Sequence, residues 1–379
     1  MSWELSEEHE MLRSTVREFA ESEIAPFAAQ WDIDHHFPVD VVGKMGELGL
    51  FGIVFPEQYG GAGGDFASLC VAIEELGRVD QSMGITLSAG VGLGANPIFQ
   101  FGTDDQKTQW LPDLVAGRAL GGFGLTEPDG GSDAGATKTR ATLDGDEWVI
   151  NGSKAFITNC GTSITSLTTV TAHTGDGISA FIVPAGTNGL IIESAYHKLG
   201  WHASDTHGIT LDNCRVPKAN MLGKPGDGFR NFLTILDDGR IAISALALGC
   251  ARACLEMAVA YATHRHAFGG PIGRFQGLAF QLSDLAVKVE NAHNLTYKAA
   301  WLKDQGRPIR QAAAMAKLYS TEAAMDAARI GTQVLGGMGF MEDTPMARFY
   351  RDAKILEIGE GTSEIQRLVI ARSIGLPVP

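Results

Sequence analysis

The period of the hydrophobic pattern changes twice along this chain, and that order of periods limits the folds available to it. Up to about residue 120, apolar residues recur at helical spacing, as in Leu12, Val16 and Ile24. Residues 121–227 are instead rich in Thr, Val, Ile and Gly, in short strand-like runs separated by turn residues. Helical spacing returns after residue 227. This order favours segregated α and β domains over a doubly wound sheet.

We therefore predict an α+β multidomain fold, since 379 residues exceed the size at which single cores usually stop growing. The predicted parts are an N-terminal helical domain (1–120), a middle antiparallel β domain (121–227) and a C-terminal helical bundle (228–379). Within the last part, the predicted helices span 229–265, 273–305, 309–335 and 363–374.

Polar residues at the starts of these patterns predict helix caps. Ser6 and Asp65 precede the first and second helical runs, and "TDDQ" from Thr103 has the form of a capping box. Ser363 and Gln366 have the same spacing at the start of the last helix.

Charge and composition exclude some classes of partner. The formal net charge of −14 is unfavourable for binding nucleic acid or an anionic membrane, so neither is expected as a partner. No apolar run approaches membrane-spanning length, and the acidic start lacks the features of a signal peptide. We expect a bacterial cytoplasmic protein, or a mitochondrial matrix protein if a transit peptide has been removed. Cys250 and Cys254, four apart on an apolar pattern, are interpreted as small core residues.

Two further patterns are interpreted as structural. "GVGLGA", Gly90 to Ala95, fits the loose dinucleotide fingerprint, but Pro97 follows and the flanks are helical, so close helix packing is the preferred interpretation. His197, His202 and His207 lie close in sequence but match no metal-ligand spacing, so no metal site is predicted.

Two glycine-containing motifs have alternatives that the residues alone leave open. "GGFGLTEPDGGSDAGATKT" at 121–139 can let the backbone approach a ligand, or can be a glycine-rich start to the β domain. In "EIGEGTSEIQR", Glu360 lies between two glycines where one helical pattern stops and another begins. It can be a catalytic acid or an ordinary acid near a helix terminus.

These motifs are accompanied by three others: "NGSKAFITNCGTS" at 151–163, "RHAFGGPIGRFQ" at 265–276 and "QVLGGMGF" at 333–340. The ordered set resembles the acyl-CoA dehydrogenase family, flavoproteins that introduce a double bond between Cα and Cβ of an acyl-CoA thioester. The resemblance covers essentially the whole chain. It implies an N-terminal helical domain, a middle β domain and a C-terminal four-helix bundle, with FAD between the last two.

The resemblance also assigns the FAD contacts. Within one subunit they are Phe123, Leu125, Thr126, Gly131, Ser132, Phe156, Ile157, Thr158, Thr362 and Glu364. From a neighbouring subunit they are Arg265, Phe268, Gln276, Gln333, Gly336 and Gly337. Many relatives have Trp where this chain has Phe156. A cofactor site shared between subunits implies a homo-oligomer, commonly a tetramer.

In the family's chemistry, the acid of the "EGT" motif removes the α-proton, and here that acid is Glu360. Its backbone N–H and a ribityl hydroxyl of FAD polarise the thioester carbonyl, while the β-hydride passes to flavin N5. One subset of the family places its base at the position of Gly239, which has no side chain to act as one. The resemblance assigns substrate contacts to Ser132, Asp237, Arg240 and Gly361. Burial is expected to raise the pKa of the glutamate.

The predicted function is therefore FAD-dependent α,β-dehydrogenation of an acyl-CoA, with an electron-transferring flavoprotein as acceptor. The alternatives are an acyl-CoA oxidase using O₂ and a non-catalytic acyl-CoA-binding protein. The motifs look most like those of straight short- or medium-chain enzymes, while branched and amino-acid-derived substrates stay open. Small residues at Ser88, Ala89 and Gly90 are expected to leave room for the acyl chain.

Overall fold

The computed structural model describes residues 4–378, and its first part is helical as predicted. Ser6 Oγ accepts from His9 N–H, Asp65 accepts from Ser68 N–H, and Thr103 forms a capping box with Gln106, so these three caps are confirmed. The helices are α1 Glu7–Phe19, α2 Ala28–Asp34, α3 Val39–Glu47, α4 Phe66–Val79, α5 Gln81–Ala89, α6 Asn96–Phe101 and α7 Asp104–Val115.

The "GVGLGA" segment forms a π-helical turn, Gly90–Ala95, between α5 and α6. Its glycines permit close packing: a Cβ on Gly94 would lie 2.9 Å from the Gly121 carbonyl oxygen, and one on Gly90 would lie 2.7 Å from the Phe51 ring. The packing interpretation of this segment is confirmed. The Phe51 contact also means that Gly90 leaves no space for an acyl chain on that side.

An eight-stranded sheet follows, in the order β6-β7-β3-β2-β4-β5-β8 with β1 paired to β4 beside this path. Its strands are β1 Leu120–Gly124, β2 Arg140–Asp144, β3 Glu147–Thr158, β4 Thr165–Thr174, β5 Gly177–Pro184, β6 Leu190–Ala195, β7 Thr206–Pro217 and β8 Met221–Leu222. Most neighbours are antiparallel, and Trp148, Ile150 and Phe181 belong to a core formed within the sheet.

The middle β domain is confirmed, but two strand pairs depart from the predicted antiparallel arrangement. β1 runs parallel to β4, with Leu120 opposite Thr165, and β2 meets β4 in parallel at Arg140 and His173. β1 has the sequence "LGGFG" and is buried along its whole length. Such a strand shows no alternation of apolar and polar residues, so the sequence carried no signal for its neighbour or its direction.

The C-terminal part is a helical bundle, as predicted, and α8 is one continuous helix of 37 residues. Its elements are α8 Gly228–His264, β9 His266–Ala267, β10 Gly270–Pro271, α9 Gln276–Asp304, α10 Arg310–Leu335, α11 Gly337–Phe340, α12 Pro345–Leu356 and α13 Ser363–Ser373. Helices α11 and α12 were not predicted from the sequence. For α12 a signal was present, since Pro345 occupies the first turn, a position that suits proline.

The prediction that no apolar run has membrane-spanning length is wrong for helix α8. It is long and apolar enough to cross a membrane, with a mean hydropathy of 1.6 over its best 18-residue window. However, 78% of that window is buried inside the protein. Other helices thus cover its apolar surface, as in the core helix of a soluble protein.

Helices α4 and α8 join the N-terminal helices to the bundle at very close range. A Cβ on Gly249 of α8 would overlap the Glu74 carbonyl oxygen of α4 and lie 2.9 Å from the Arg78 backbone nitrogen. The side chains of Glu74 and Glu75 are fully buried beside this contact. They pair with arginines of α1, α4 and α8: Arg13, Arg17, Arg78 and Arg252. Cys250 and Cys254 lie in the same core, unpaired and buried, as interpreted.

We expect Gly249→Ala to lower the free energy of unfolding by about 1–3 kcal/mol, because the added methyl meets backbone atoms that cannot move independently. The matched control is Gly43→Ala in α3, where a Cβ would have no atom within 4 Å. That change should be neutral or slightly stabilising, since alanine is the better helix former. The midpoints of thermal unfolding of the two variants, monitored by circular dichroism, are compared. Equal midpoints for the two variants would contradict the close-packing account.

Candidate active site

Glu360 lies in the loop between α12 and α13, in a conformation that residues with side chains rarely adopt. Its φ is 52° and that of Gly361 is 99°. A hydrogen bond from Ser363 N–H to the Glu357 carbonyl, at 2.9 Å, closes the loop. A left-handed residue other than glycine costs about 1–3 kcal/mol and is found mainly at functional sites. The strained residue is thus the acid that the sequence analysis singled out.

The Glu360 carboxylate faces helix α8 at Gly239. A Cβ on Gly239 would overlap Glu360 Oε2 and lie 2.8 Å from the carboxyl carbon. The carboxylate therefore occupies space that exists because residue 239 is glycine. The position assigned to the alternative base of the family lies directly beside the carboxylate of Glu360.

Glu360 has an acceptor and a donor that the protein leaves unused. Oε2 is buried and has no hydrogen-bond partner among residues 4–378. In the same part of the chain, the backbone N–H of Glu360 has no acceptor. Because buried polar groups are nearly always paired, the unpaired Oε2 indicates a place for a ligand, to which the N–H of the same residue offers a hydrogen-bond donor.

The surroundings of Glu360 suit a base that works near neutral pH. Burial raises its pKa to about 7, while the positive charges of Lys317 and Arg240 act in the opposite direction. A general base is most effective when its pKa lies near the working pH. The expectation of a raised pKa is confirmed, and its cause is burial.

The start of α13 differs from the predicted capping box. The cap is Thr362, whose hydroxyl accepts from Ile365 N–H, and not Ser363. Gln366 donates through Nε2 to the Gly361 carbonyl at 2.8 Å. The left-handed Gly361 ends the loop and makes Ser363 the first helical residue, so the sequence spacing alone was misleading. Glu364, in the first turn, is exposed.

Next to Glu360, α8 presents the pair Asp237 and Arg240. Arg240 donates to Asp237 and is 5% exposed, and its Nε has no partner within the described residues. Asp238, the next residue, is used structurally: it accepts from Asn96 and from Lys303. Of the two neighbouring acids, Asp237 is therefore the one beside Arg240, as the substrate-contact prediction requires.

The two motifs of the middle domain are joined, although they are far apart in sequence. Ala155 N–H donates to the Thr126 carbonyl at 2.9 Å, and Lys154 Nζ donates to the Leu125 carbonyl at 3.3 Å. The structure thus brings together the predicted cofactor positions 123–132 and 156–158.

Members of this set differ in exposure. Phe123, Leu125 and Ile157 are buried, and Phe123 stacks on Phe232 of α8 with ring centroids 4.0 Å apart. Thr126 and Thr158 are half-buried, and Gly131 and Ser132 are exposed. Phe156 has a left-handed backbone with φ of 61°, and its ring is 66% exposed beside Tyr196. A large aromatic ring exposed on a strained backbone suits a cofactor surface better than a packing role.

A buried ion pair holds the glycine-rich loop against the sheet, and the sequence analysis missed it. Glu127 accepts from Lys154 Nζ at 2.8 Å, from Thr139 Oγ1 at 2.6 Å and from Lys138 N–H at 2.7 Å. Burial opposes ionisation, but these hydrogen bonds lower the pKa of Glu127 to about 2. The available signal was an acid in "TEPDGG" with a lysine in the next motif, which sequence alone cannot pair.

Helix α8 connects the two halves of the candidate site. Phe232, at the cofactor motif, and Gly239, at Glu360, are seven residues apart, or about 10 Å along the helix axis. The positions assigned to a neighbouring subunit begin with Arg265, directly after α8, roughly 50 Å from Phe232 along the same axis. Arg265 therefore lies far from the cofactor motif of its own chain. All of that set are exposed: Arg265, Phe268, Gln276, Gln333, Gly336 and Gly337.

The predicted small residues of an acyl pocket, Ser88 and Ala89, are both buried, and Ser88 Oγ has no partner within residues 4–378.

Among the histidines, His207 Nε2 lies 2.7 Å from Asp205 Oδ1, and His202 Nδ1 lies 3.0 Å from Asp32 Oδ1. No group of three or more His, Cys, Asp or Glu in the described chain is placed to hold a metal ion.

Comparison with known proteins gives one family. Models of acyl-CoA dehydrogenase domains match the chain: the N-terminal domain over residues 6–118, the middle domain over 122–214 and the C-terminal domain over 226–375. These matches follow the observed order of helices, sheet and helices.

Individual relatives match over their whole length or nearly so. A probable acyl-CoA dehydrogenase of Bacillus subtilis is 50% identical over 99% of this chain and 100% of the relative. The mitochondrial short-chain specific acyl-CoA dehydrogenase of Rattus norvegicus is 48% identical over 98% of this chain and 90% of its own length. The solved butyryl-CoA dehydrogenase of Megasphaera elsdenii has a TM-score of 0.96 and 40% identity, covering 99% of this chain and 100% of the other. The chain therefore belongs to the acyl-CoA dehydrogenase family of FAD-dependent enzymes.

Proposed function

We propose that this protein dehydrogenates a straight short-chain acyl-CoA to the trans-2-enoyl-CoA, with Glu360 as the base that removes the α-proton. The observation that carries the proposal is the state of Glu360: a buried carboxylate with an unpaired Oε2, on a strained backbone, with a pKa of about 7. An α-proton beside a thioester is weakly acidic, so its removal needs a base of this kind held within reach.

The same residue can stabilise the charge that develops on the substrate. As the α-proton leaves, negative charge builds on the thioester oxygen, and a preorganised N–H lowers the cost of that charge. The unpaired backbone N–H of Glu360 is such a donor. Carboxylate and N–H belong to one residue, so the left-handed turn fixes the base relative to the donor.

The residues of the middle domain fit FAD. Phe156 has an exposed ring, Thr126 and Thr158 are half-buried, Gly131 and Ser132 are exposed, and the Ala155–Thr126 hydrogen bond joins the two motifs. Bound FAD supplies the acceptor of the β-hydride at flavin N5. Phe156 can give an aromatic contact there but lacks the indole N–H that many relatives have.

Residues of helix α8 and of the glycine-rich loop are proposed to bind the CoA part of the substrate. Arg240, buried beside Asp237 and with a free Nε, can donate to a polar group of CoA or of the pantetheine arm. Ser132 and Gly361 supply the remaining proposed substrate contacts. The two small, buried residues Ser88 and Ala89 are proposed to border the acyl chain.

A homo-oligomer, and specifically a tetramer, is proposed to complete the cofactor site. Support comes from the distance of roughly 50 Å along α8 between Phe232 and Arg265, too long for one subunit's FAD to contact both. It also comes from large apolar side chains exposed near Arg265, with Phe268 88% exposed. We further propose domain limits at 120/121 and 227/228, a bacterial cytoplasmic location, and an electron-transferring flavoprotein as acceptor.

The proposed base predicts a sharp loss in one variant. Glu360→Gln should abolish reduction of the bound flavin by butyryl-CoA under anaerobic conditions, because the amide cannot accept the proton, while the yellow cofactor stays bound. The control is Glu357→Gln, which makes the same change in the same loop at a side chain that pairs with Lys354. Stopped-flow absorbance measures both. A Glu360→Gln enzyme that is reduced at the parent's rate would place the base elsewhere.

Gly239→Ala should reduce the rate of flavin reduction at least tenfold while changing stability little. The added methyl would overlap the end of the Glu360 side chain, which can rotate away at small cost to folding. Displacing the base by about 1 Å is enough to lose two orders of magnitude in rate. The thermal midpoint and the rate constant are measured on the same sample. Full activity would show that the observed carboxylate position is not the reactive one.

The proposed substrate class is tested by a set of thioesters. Butyryl-CoA should bleach the flavin fastest, octanoyl-CoA more slowly, and isobutyryl-CoA least, in an anaerobic screen. Faster bleaching by isobutyryl-CoA than by butyryl-CoA would indicate a branched-chain enzyme and contradict the proposed substrate class. Oxygen uptake with butyryl-CoA in air distinguishes the oxidase alternative, for which it would match the rate of substrate turnover.

A further inference from the structure

A buried lysine, Lys317 on α10, contacts the loop that carries Glu360. Its side chain is fully buried, and its Nζ donates to the carbonyl oxygen of Gly361 at 2.8 Å. Gln366 Nε2 donates to the same oxygen, also at 2.8 Å. A carbonyl oxygen has two lone pairs, so these two donors use both of them.

Two donors on one carbonyl fix the peptide that follows Gly361, one residue after Glu360. With φ of 52° at Glu360 and 99° at Gly361, the chain here would leave this conformation unless its surroundings hold it. The Gly361 carbonyl is anchored to α10 by Lys317 and to α13 by Gln366. The loop is thus held at the residue next to the proposed base.

A neutral donor would make the hydrogen bond at much lower cost than a lysine. Taking an ammonium group out of water is strongly unfavourable unless an opposite charge compensates it. Within residues 4–378, the Gly361 carbonyl is the acceptor that Lys317 Nζ contacts, and it is uncharged. The carboxylate whose charge most favours ionised Lys317 is that of Glu360, with smaller effects from Glu357 and Glu364.

The interaction is mutual. Burial lowers the pKa of Lys317 to about 8 and raises that of Glu360 to about 7, and each charge favours the ionised form of the other. Arg240, on α8, also favours ionised Glu360, and it disfavours a charged Lys317. Between those two pH values both groups of the pair can be ionised, which is the state in which Glu360 can accept a proton.

We infer that Lys317 is a positioning residue for Glu360: its ammonium group holds the Gly361 carbonyl and supplies the positive charge that keeps the neighbouring carboxylate ionised. This rests on the proposed role of Glu360 as the base. Lys317 itself touches neither the reacting atoms nor the cofactor in this account. Its effect reaches the reaction through the geometry and the ionisation of one glutamate.

The test is the pH dependence of anaerobic flavin reduction by butyryl-CoA in the holoenzyme of Lys317→Met. Removing a nearby positive charge raises the pKa of Glu360, and a base is inactive when protonated. The acid limb of the rate profile should therefore move to higher pH by about one unit or more. At about pH 6 the rate constant should fall roughly tenfold or more below the parent's, and part of that loss should return at about pH 9.

Gln366→Met is the matched control, because it removes the second donor to the same carbonyl without removing a charge. It should lower the rate constant at every pH and leave the acid limb where it is. Lys317→Gln is the second variant: its amide keeps a donor near Gly361 but carries no charge, so it should fold well and still show the moved limb.

Three results would overturn the inference. They are an acid limb that is unchanged in both Lys317 variants, a limb that moves equally in Gln366→Met, and loss of bound FAD in both Lys317 variants, which would make the lysine purely structural. The Glu360→Gln enzyme distinguishes a failure of this inference from a failure of the proposed function. If Glu360→Gln is inactive and the Lys317 profiles match the parent, the inference alone fails; if Glu360→Gln is active, the assignment of the base fails first.

Discussion

The contact between the Glu360 carboxylate and Gly239 is the constraint on which the site depends, and helix α8 makes it possible. The same helix stacks Phe232 on Phe123 at the cofactor motif, leaves room for Glu360 at Gly239, and admits α4 at Gly249. All three contacts lie on one continuous helix of 37 residues, which keeps them in a fixed relation. Sheet, bundle and N-terminal helices are therefore positioned relative to one another by a single element, and the candidate site lies where they meet.

Around Glu360, features that are unfavourable for folding are useful for chemistry. A left-handed glutamate, an unpaired buried oxygen and an unpaired N–H each lower stability. They persist because surrounding contacts are strong: two donors on the Gly361 carbonyl, the Thr362 cap and the closing bond to Glu357. Burial alone would keep the acid protonated, and Lys317 and Arg240 bring its pKa back to about 7. The result is a carboxylate that can gain and lose a proton near neutral pH.

Much of the fold could be predicted because its signals are local. Caps at Ser6, Asp65 and Thr103, and the unbroken apolar pattern of α8, depend on neighbours within one or two turns. The direction of β1, the ion pair of Glu127 with Lys154, and the contact of Lys317 with Gly361 depend on segments tens of residues apart. The spacing of apolar residues along the chain does not indicate which distant segments come into contact. Glu360 stood out because two glycines flank it, while its partners on α8 and α10 could not be found from residue spacing.

The most direct test of this account is a crystal structure of the FAD-loaded protein with a CoA thioether, an analogue without an acidic α-proton. The account predicts a Glu360 carboxylate oxygen within about 3.5 Å of the carbon that corresponds to Cα, on the side facing Gly239. It also predicts that Glu360 keeps its left-handed backbone in the complex. A carboxylate turned away from that carbon, with another ionisable side chain in its place, would contradict the central claim.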